Sequence, residues 1–258
     1  MGRRGEVDIS VVIMARNEEK NLSECLRTCD FAKEIILVDD ESTDKTVEIA
    51  ESYGARVFKR ALAGNFGEQQ TFAIQQASYP WIFLLDCDER ITQELKDSII
   101  KVVKKNEPVS YEVKIDNKFQ NFKIEHGPLR SAWFPRLFPN DGVFVTGRVH
   151  QRVHSNHSLK RLSGPLIHHT YSSMGQYYSK MNKYADLSAL EYYESNKKSN
   201  FFIDVILRPF WAAFKAYFIN RGFLDGKMGV VFAINQYGYT AQKYIRYWVL
   251  QKTKSGAL

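Results

Sequence analysis

Through its first hundred residues the chain alternates short, bulky apolar runs with amphipathic stretches. Ile9–Met14 is β-branched and apolar and reads as a first strand. Residues 19–29 place Leu22, Cys25, Leu26 and Cys29 on one helical face. Residues 34–38 form a second apolar run, and Ser42 or Thr43 is expected to cap the helix after it. Gly54 supplies a stop before a short third strand at 56–58. A helix over 67–77, a strand over Trp81–Leu85 and a helix opened by Thr92 and running to about Lys105 complete the alternation. Strands without polar alternation are buried on both faces, and helices between them imply crossovers and a mostly parallel sheet.

After residue 108 the pattern changes. Residues 111–115 and 119–124 flank Asp116-Asn117-Lys118 and predict a hairpin. Short strands follow near 137–138, 143–145 and 149–153, and a long helix is expected over 173–196. The expected organisation is a catalytic domain over 1–198, with halves at 8–105 and 106–198, and a helical tail over 199–258.

Polar clusters end three of the strands: Ala15-Arg16-Asn17-Glu18 after the first, Asp39-Asp40 after the second and Asp86-Cys87-Asp88-Glu89 after the fourth. Open α/β sheets bind ligands at this rim. Alone, an Asp-x-Asp opens many loops as two solvated acids. Behind a buried strand its surplus charge calls for a cationic partner, which a hard divalent ion completed by phosphate oxygens would supply. Asp39 is placed either to accept a base N–H or merely to cap the next helix; Asn17 and Glu18 are candidates for base or ribose. Neither G-x-G-x-x-G nor a P-loop is present, so no glycine-rich turn would hold a nucleotide.

Composition narrows the choice. Hydrophobic residues make up 44% and charged residues 25%, which fits a chain with a full core and excludes disordered and fibrous classes. A net charge of +7 favours anionic partners. No RNA-binding motif accompanies it, so nucleic acid is not expected. Cys25, Cys29 and Cys87 make no even framework and read as core residues of a reducing compartment. The N-terminus lacks the apolar core of a signal peptide, and no apolar stretch is long enough to span a bilayer, so a cytoplasmic location is expected.

Taken together, Val11–Glu19, Ile36–Asp44 and Leu84–Glu89 resemble the inverting family 2 glycosyltransferases, most closely the lipopolysaccharide-core β-glucosyltransferase branch. The resemblance covers roughly the first hundred residues. It implies a GT-A fold (the nucleotide-diphospho-sugar transferase sheet flanked by helices) and a nucleoside-diphosphate sugar donor, UDP-glucose being favoured. It further implies a divalent cofactor, Mg²⁺ or Mn²⁺, and a lipopolysaccharide-core or other lipid-linked glycan as acceptor. By this likeness Ala15, Asn17, Glu18 and Asp39 would bind the nucleotide, Asp86 the ribose or metal, and Asp88 the metal.

Further along, Trp133–Phe138 resembles a W-x-P-R-L-F segment of the same branch and offers Arg136 to the diphosphate or an acceptor anion; the bland alternative is a surface arginine on an edge strand. Leu166–Tyr171 with Lys180 also matches, making His168 a third metal or diphosphate contact and Lys180 a phosphate contact. The branch typically carries His-Glu where this chain has His150-Gln151. That departure leaves His150, Asp141 or Glu125 as the base, or else a catalytically impaired protein that binds nucleotide sugar or serves as a scaffold. An Asp-x-Asp phosphotransferase is disfavoured because Arg90 stands where Thr or Val is expected.

The tail is aromatic and interrupted by charge. Residues 201–218 carry Asp204, Arg208 and Lys215 among Phe, Trp and Tyr, and residues 237–252 add Tyr239, Tyr244, Tyr247 and Trp248 with Lys243, Arg246 and Lys252. This pattern predicts helices lying on an anionic membrane, which would make the protein peripheral on the inner face of a bacterial cytoplasmic membrane. The rival is packing on the catalytic domain or on a second copy.

Overall fold

In the computed structural model, which describes residues 6–120, 122–148, 151–171 and 173–254, the packing divides into two compact units. The first comprises residues 1–116 and 132–168, the second residues 117–131 and 169–258. The long helix expected with the catalytic domain therefore groups with the tail.

The first unit opens with β1 (Val7–Ala15), α1 (Glu19–Arg27), β2 (Ala32–Asp39), α2 (Thr46–Ser52), β3 (Arg56–Lys59), α3 (Phe66–Gln75) and β4 (Trp81–Asp86). β5 (Glu89–Ile91) and α4 (Gln93–Lys105) follow, then β6 (Ser110–Phe119), which runs on into the second unit as β7 (Phe122–Lys123) returns beside it. β8 (Ala132–Pro139), β9 (Phe144–Thr146), β10 (Arg152–His154) and β11 (Leu159–Tyr171) complete the strands. The large sheet has the order β3-β2-β1-β4-β8-β6-β11-β5; its first four strands are parallel, and β8 joins β4 antiparallel. This is the expected GT-A layout of a sheet flanked by helices, but the sheet is mixed rather than mostly parallel, because the parallel set stops at β4.

Why the strands read as continuous apolar runs is visible in their packing. Val11, Ile13, Leu37, Phe83 and Leu85 face a core shared with Leu22, Cys25, Leu95 and Ile99. Val12, Ile36, Val38, Ile82 and Leu84 face a second core with Ala73, Ile74 and Phe138. Successive side chains point to opposite faces, so burial on both leaves no polar alternation. All three cysteines are buried and free, as expected of core residues.

Three local expectations fail. Neither Ser42 nor Thr43 caps α2; the Asp44 carboxylate accepts from Thr46 N instead, at 3.0 Å. The hairpin turn does not fall at 116–118, because β6 continues through them and Phe119 pairs with Phe122 beyond a left-handed Gln120 (φ 51°). Asn117 is held in the strand by donating from Nδ2 to Leu129 O at 2.8 Å. β5 and the thirteen-residue β11 were not expected as strands at all.

The second unit holds the ends of β6 and β11, α5 (Met174–Glu194) capped by Ser173, and a helical run in which α6 (Arg208–Phe214) lies between π-helical segments at Phe202–Leu207 and Lys215–Ile219. A 3-10 turn at Gly222–Asp225 leads into α7 (Gly226–Lys254). Its two cores are Phe119, Ile124, Tyr171, Tyr177 and Phe232, and Ala189, Val205, Tyr244 and Tyr247. Among the described residues no helix is long and apolar enough to cross a membrane.

Candidate active site

Register assembles the rim of the first unit. In the parallel pairing Ala15 lies opposite Asp39, and Met14 lies opposite Asp86, so two carboxylates end the strands on either side of β1, one residue apart in level. The loops after β1 and β2 are tied to each other. Asn17, left-handed at φ 54°, donates its N–H to Ser42 Oγ at 2.9 Å and accepts from Thr43 N at 2.8 Å. Glu18 N donates to Thr46 Oγ1 at 2.8 Å, and the Glu18 carboxylate accepts from Asn21 Nδ2 at 2.8 Å. Asn17 and Glu18 thus shape the rim with groups that were candidates for ligand contact. Buried Asp39 accepts from Ser42 N at 3.3 and 3.2 Å. These are long bonds within its own loop rather than a cap on α2. Its neighbour Asp40 pairs with Arg16 at 3.0 Å and accepts from Leu62 N at 2.7 Å.

The acidic cluster after β4 is built around Arg136. The antiparallel register steps from Tyr111↔Leu137 to Glu112↔Pro135, leaving Arg136 without a partner on β6. Such a bulge re-aims a side chain. The Arg136 guanidinium donates to Asp86 Oδ2 at 3.1 Å and to Glu89 Oε1 at 2.7 Å. Arg136 is therefore an interior residue of β8, not a surface arginine. Glu89 has no exposed side-chain surface, and its other oxygen accepts from Asp86 N at 2.9 Å. Full burial pushes the Glu89 carboxyl up to about 7, against the opposing charge of Arg136. Burial also works against the charge on Arg136, but Glu89 and Asp86 outweigh it and hold the guanidinium charged.

β11 delivers the remaining member. Gly164 is left-handed (φ 85°), and a Cβ there would lie 2.3 Å from Leu95 N, so only glycine lets β11 pass the start of α4 so closely. Thr92 Oγ1 fixes the crossing by donating to Pro165 O at 2.7 Å. Pairing of β11 with β5 then sets His168 opposite Glu89, and His168 Nε2 lies 3.3 Å from Asp88 Oδ2. Burial opposes charge on this imidazole, but its hydrogen bond to Asp88 and the nearby carboxylates win and raise its pKa.

Asp86, Asp88, Arg136 and His168 are thus brought together, with Glu89 as the member that sequence reasoning quoted in the motif but gave no role. The Asp86 and Asp88 side chains keep 44% and 20% of their surface, so both remain reachable. Among the described residues no group of three or more His, Cys, Asp or Glu is arranged to hold a metal unaided. Two reachable carboxylates at a strand end nevertheless suit a hard cation that keeps phosphate or water oxygens as its other ligands. Lys180 belongs to the second unit, where its ammonium sits 5.3 Å from the Tyr171 ring centroid. Val149 and His150 lie outside the described residues; Gln151 is exposed, and Asp141 pairs with His157 at 2.6 Å.

Comparison with known proteins gives this rim a lineage. An uncharacterized glycosyltransferase of Rickettsia typhi is 29% identical over 243 residues, covering 88% of this chain and 82% of the relative. The lipopolysaccharide core biosynthesis glycosyltransferase LpsC of Rhizobium meliloti is 27% identical over 244 residues, covering 88% and 90%. Among solved structures, S. aureus TarS in complex with UDP-GlcNAc aligns over 96% of this chain and 92% of that chain, with 15% identity and a TM-score of 0.47. The model of glycosyl transferase family 2 matches residues 10–181, from the first strand through the acidic cluster to the start of α5, and the chain belongs to that family of glycosyltransferases.

Proposed function

We propose that the protein is a metal-dependent, inverting hexosyltransferase that uses a UDP-sugar, glucose by preference, and a lipopolysaccharide-core or other lipid-linked glycan as acceptor. The observation that carries this reading is the convergence of Asp86 and Asp88 at the end of β4, within reach of Arg136 and His168. Asp88 and Asp86 are the residues that would hold Mg²⁺ or Mn²⁺. Once bound, the ion would offset the charge that develops on the departing diphosphate. Arg136 engages one oxygen of Asp86 and His168 one oxygen of Asp88, so each carboxylate would offer its other oxygen to the ion, with Arg136 as a positioning residue for Asp86. His168 holds Asp88 from the other side. Asp39, at the end of β2, would accept a hydrogen bond from the base, and Lys180 would meet a phosphate. Gln151 would orient an acceptor hydroxyl but cannot deprotonate it, and of His150, Asp141 and Glu125 this reading favours His150 as the base.

The tail supports a peripheral contact with an anionic membrane, where a lipid-linked acceptor is found. Phe202, Phe210 and Trp211 keep 62%, 61% and 58% of their surface exposed, and a run of exposed aromatics among basic residues suits a helix lying in a membrane interface.

The experiment is transfer from UDP-glucose with and without Mn²⁺ or Mg²⁺, in the native protein and in Asp88→Ala. The variant is expected to keep its fold, since a part-exposed carboxylate at a strand end contributes little packing, and to lose transfer. Near-native transfer by the variant, or indifference to EDTA, would refute the metal role.

A further inference from the structure

The second unit contains a cleft of about 450 Å³ whose lining includes Arg130, Arg208, Lys215, Lys243, Trp211 and Tyr244. Four cationic side chains meet in it. Arg208 is paired with Asp204, while Arg130, Lys215 and Lys243 form no ion pair among the described residues. Lys243 and Lys197 both stand over the Tyr192 and Tyr244 rings, at 5.4 and 5.2 Å for Lys243 and 3.6 and 5.4 Å for Lys197. Cation–π contact offsets only part of the cost of crowding like charges. Burial, with Lys197 and Arg208 nearby, lowers the pKa of Lys243, so the cleft is short of negative charge.

The same cleft adjoins the apolar face of the tail. Trp211 lines it and stacks on Phe214 at 5.6 Å, and Phe214 continues to Phe218 at 4.9 Å. Trp211, Phe214 and Phe218 are 58%, 47% and 54% exposed. A cationic cleft sharing a wall with an exposed aromatic ridge matches a ligand with an anionic head and an apolar chain.

We propose that this cleft binds the phosphate headgroup of a membrane amphiphile whose chain lies along the Trp211–Phe218 ridge. Arg130 and Arg208 offer planar, fork-shaped donors suited to phosphate oxygens, and Lys215 and Lys243 add point charges. The site deepens the peripheral contact proposed above and rests on it. Its lining belongs wholly to the second unit, and its occupation needs no sugar transfer to be measured.

The test is partition of the full-length protein onto phosphatidylcholine vesicles with and without phosphatidic acid, in the absence of donor and acceptor. Arg130→Gln/Lys215→Gln is compared with Lys101→Gln/Lys160→Gln, which removes the same charge from exposed positions of the first unit. Each basic residue near an anionic surface contributes about fivefold in partition, so the cleft pair is expected to weaken binding about 25-fold. The control pair should stay within roughly twofold of the native protein. Trp211→Ser should weaken binding as well, with native far-UV circular dichroism showing that each variant is folded. Equal losses from the cleft and control pairs would overturn the proposal. So would stabilisation of the native protein by millimolar inorganic phosphate without vesicle binding, which would mark a site for the free anion. Self-association through Trp211 without partition would mark a dimer face instead. Loss of transfer in Asp88→Ala bears only on the acidic rim, so the two readings fail separately.

Discussion

The Arg136 guanidinium donates to Glu89 at 2.7 Å, and the Glu89 side chain has no exposed surface. Removing one partner would leave a buried charge uncompensated, a loss of about 3–5 kcal/mol. Arg136→Met is expected to destabilise the protein by that amount in urea denaturation. Arg136→Met/Glu89→Gln should recover part of it, because the second change removes the orphaned charge. Strict additivity of the two single losses would show that the pair is not coupled. Arg136→Lys keeps a charge but cannot span Asp86 and Glu89 together, and it should lower transfer more than stability.

Asp39 offers the cleanest probe of the nucleotide. Its carboxylate is buried and, among the described residues, makes only long side-chain bonds, of 3.3 and 3.2 Å, to Ser42 N. A ligand N–H would find an acceptor that is already desolvated and held in place. Asp39→Asn is expected to weaken uridine diphosphate binding by about 1.5–3 kcal/mol, the worth of a hydrogen bond to a charged group. Calorimetry showing unchanged affinity would remove Asp39 from the site.

The rim was legible because its strands are buried on both faces, which makes Ile9–Met14, Ile36–Val38 and Trp81–Leu85 plain in sequence and puts Asp39, Asp86 and Asp88 at their ends. What surrounds those acids was not legible. Arg136 reaches Asp86 through a register shift between β8 and β6, and His168 reaches Asp88 through the pairing of β11 with a three-residue strand. Neither has a period that a window of sequence can register. β11 begins with Leu159, Lys160 and Arg161, all exposed, and contains Gly164 and Pro165, so its composition reads as loop although its pairing is that of a strand. The turn misplaced at Asp116-Asn117-Lys118 fails for a similar reason: the Asn117 side chain satisfies a distant carbonyl rather than its own turn.

Glu34 should make stability depend on pH. Although burial raises its pKa, hydrogen bonds from Ser10, Ser78 and Arg56 prevail and hold it below its ordinary 4.5. A carboxylate lowered in the folded state contributes stability that is complete above its unfolded pKa and is lost as pH falls through the folded value. Melting temperature should therefore fall as pH drops below about 4.5, in addition to the general acid loss. Glu34→Gln should be less stable at neutral pH by about 1.5–3 kcal/mol and show a shallower acid decline. An identical acid slope in both proteins would place the pH sensitivity elsewhere.

The proposed base for the acceptor hydroxyl is His150, chosen over Asp141 and Glu125. Gln151 has no basic atom at neutral pH, and Asp141 is engaged by His157 at 2.6 Å. An imidazole with an ordinary pKa near ~6.5 suits a base at neutral pH, and a positioned base contributes about 10²–10⁴-fold. His150→Ala should accordingly cut transfer by about that factor while leaving nucleotide affinity unchanged, since the base acts on the acceptor and not on the donor. The native rate should rise with pH through the histidine range, and the residual rate of the variant should lose that rise. Gln151→Glu added to His150→Ala discriminates further. If a carboxylate at 151 restores full transfer without His150, the base belongs at 151 and this chain has traded it for an orienting amide. A rate that stays high in His150→Ala alone would move the proton to a group elsewhere on the chain.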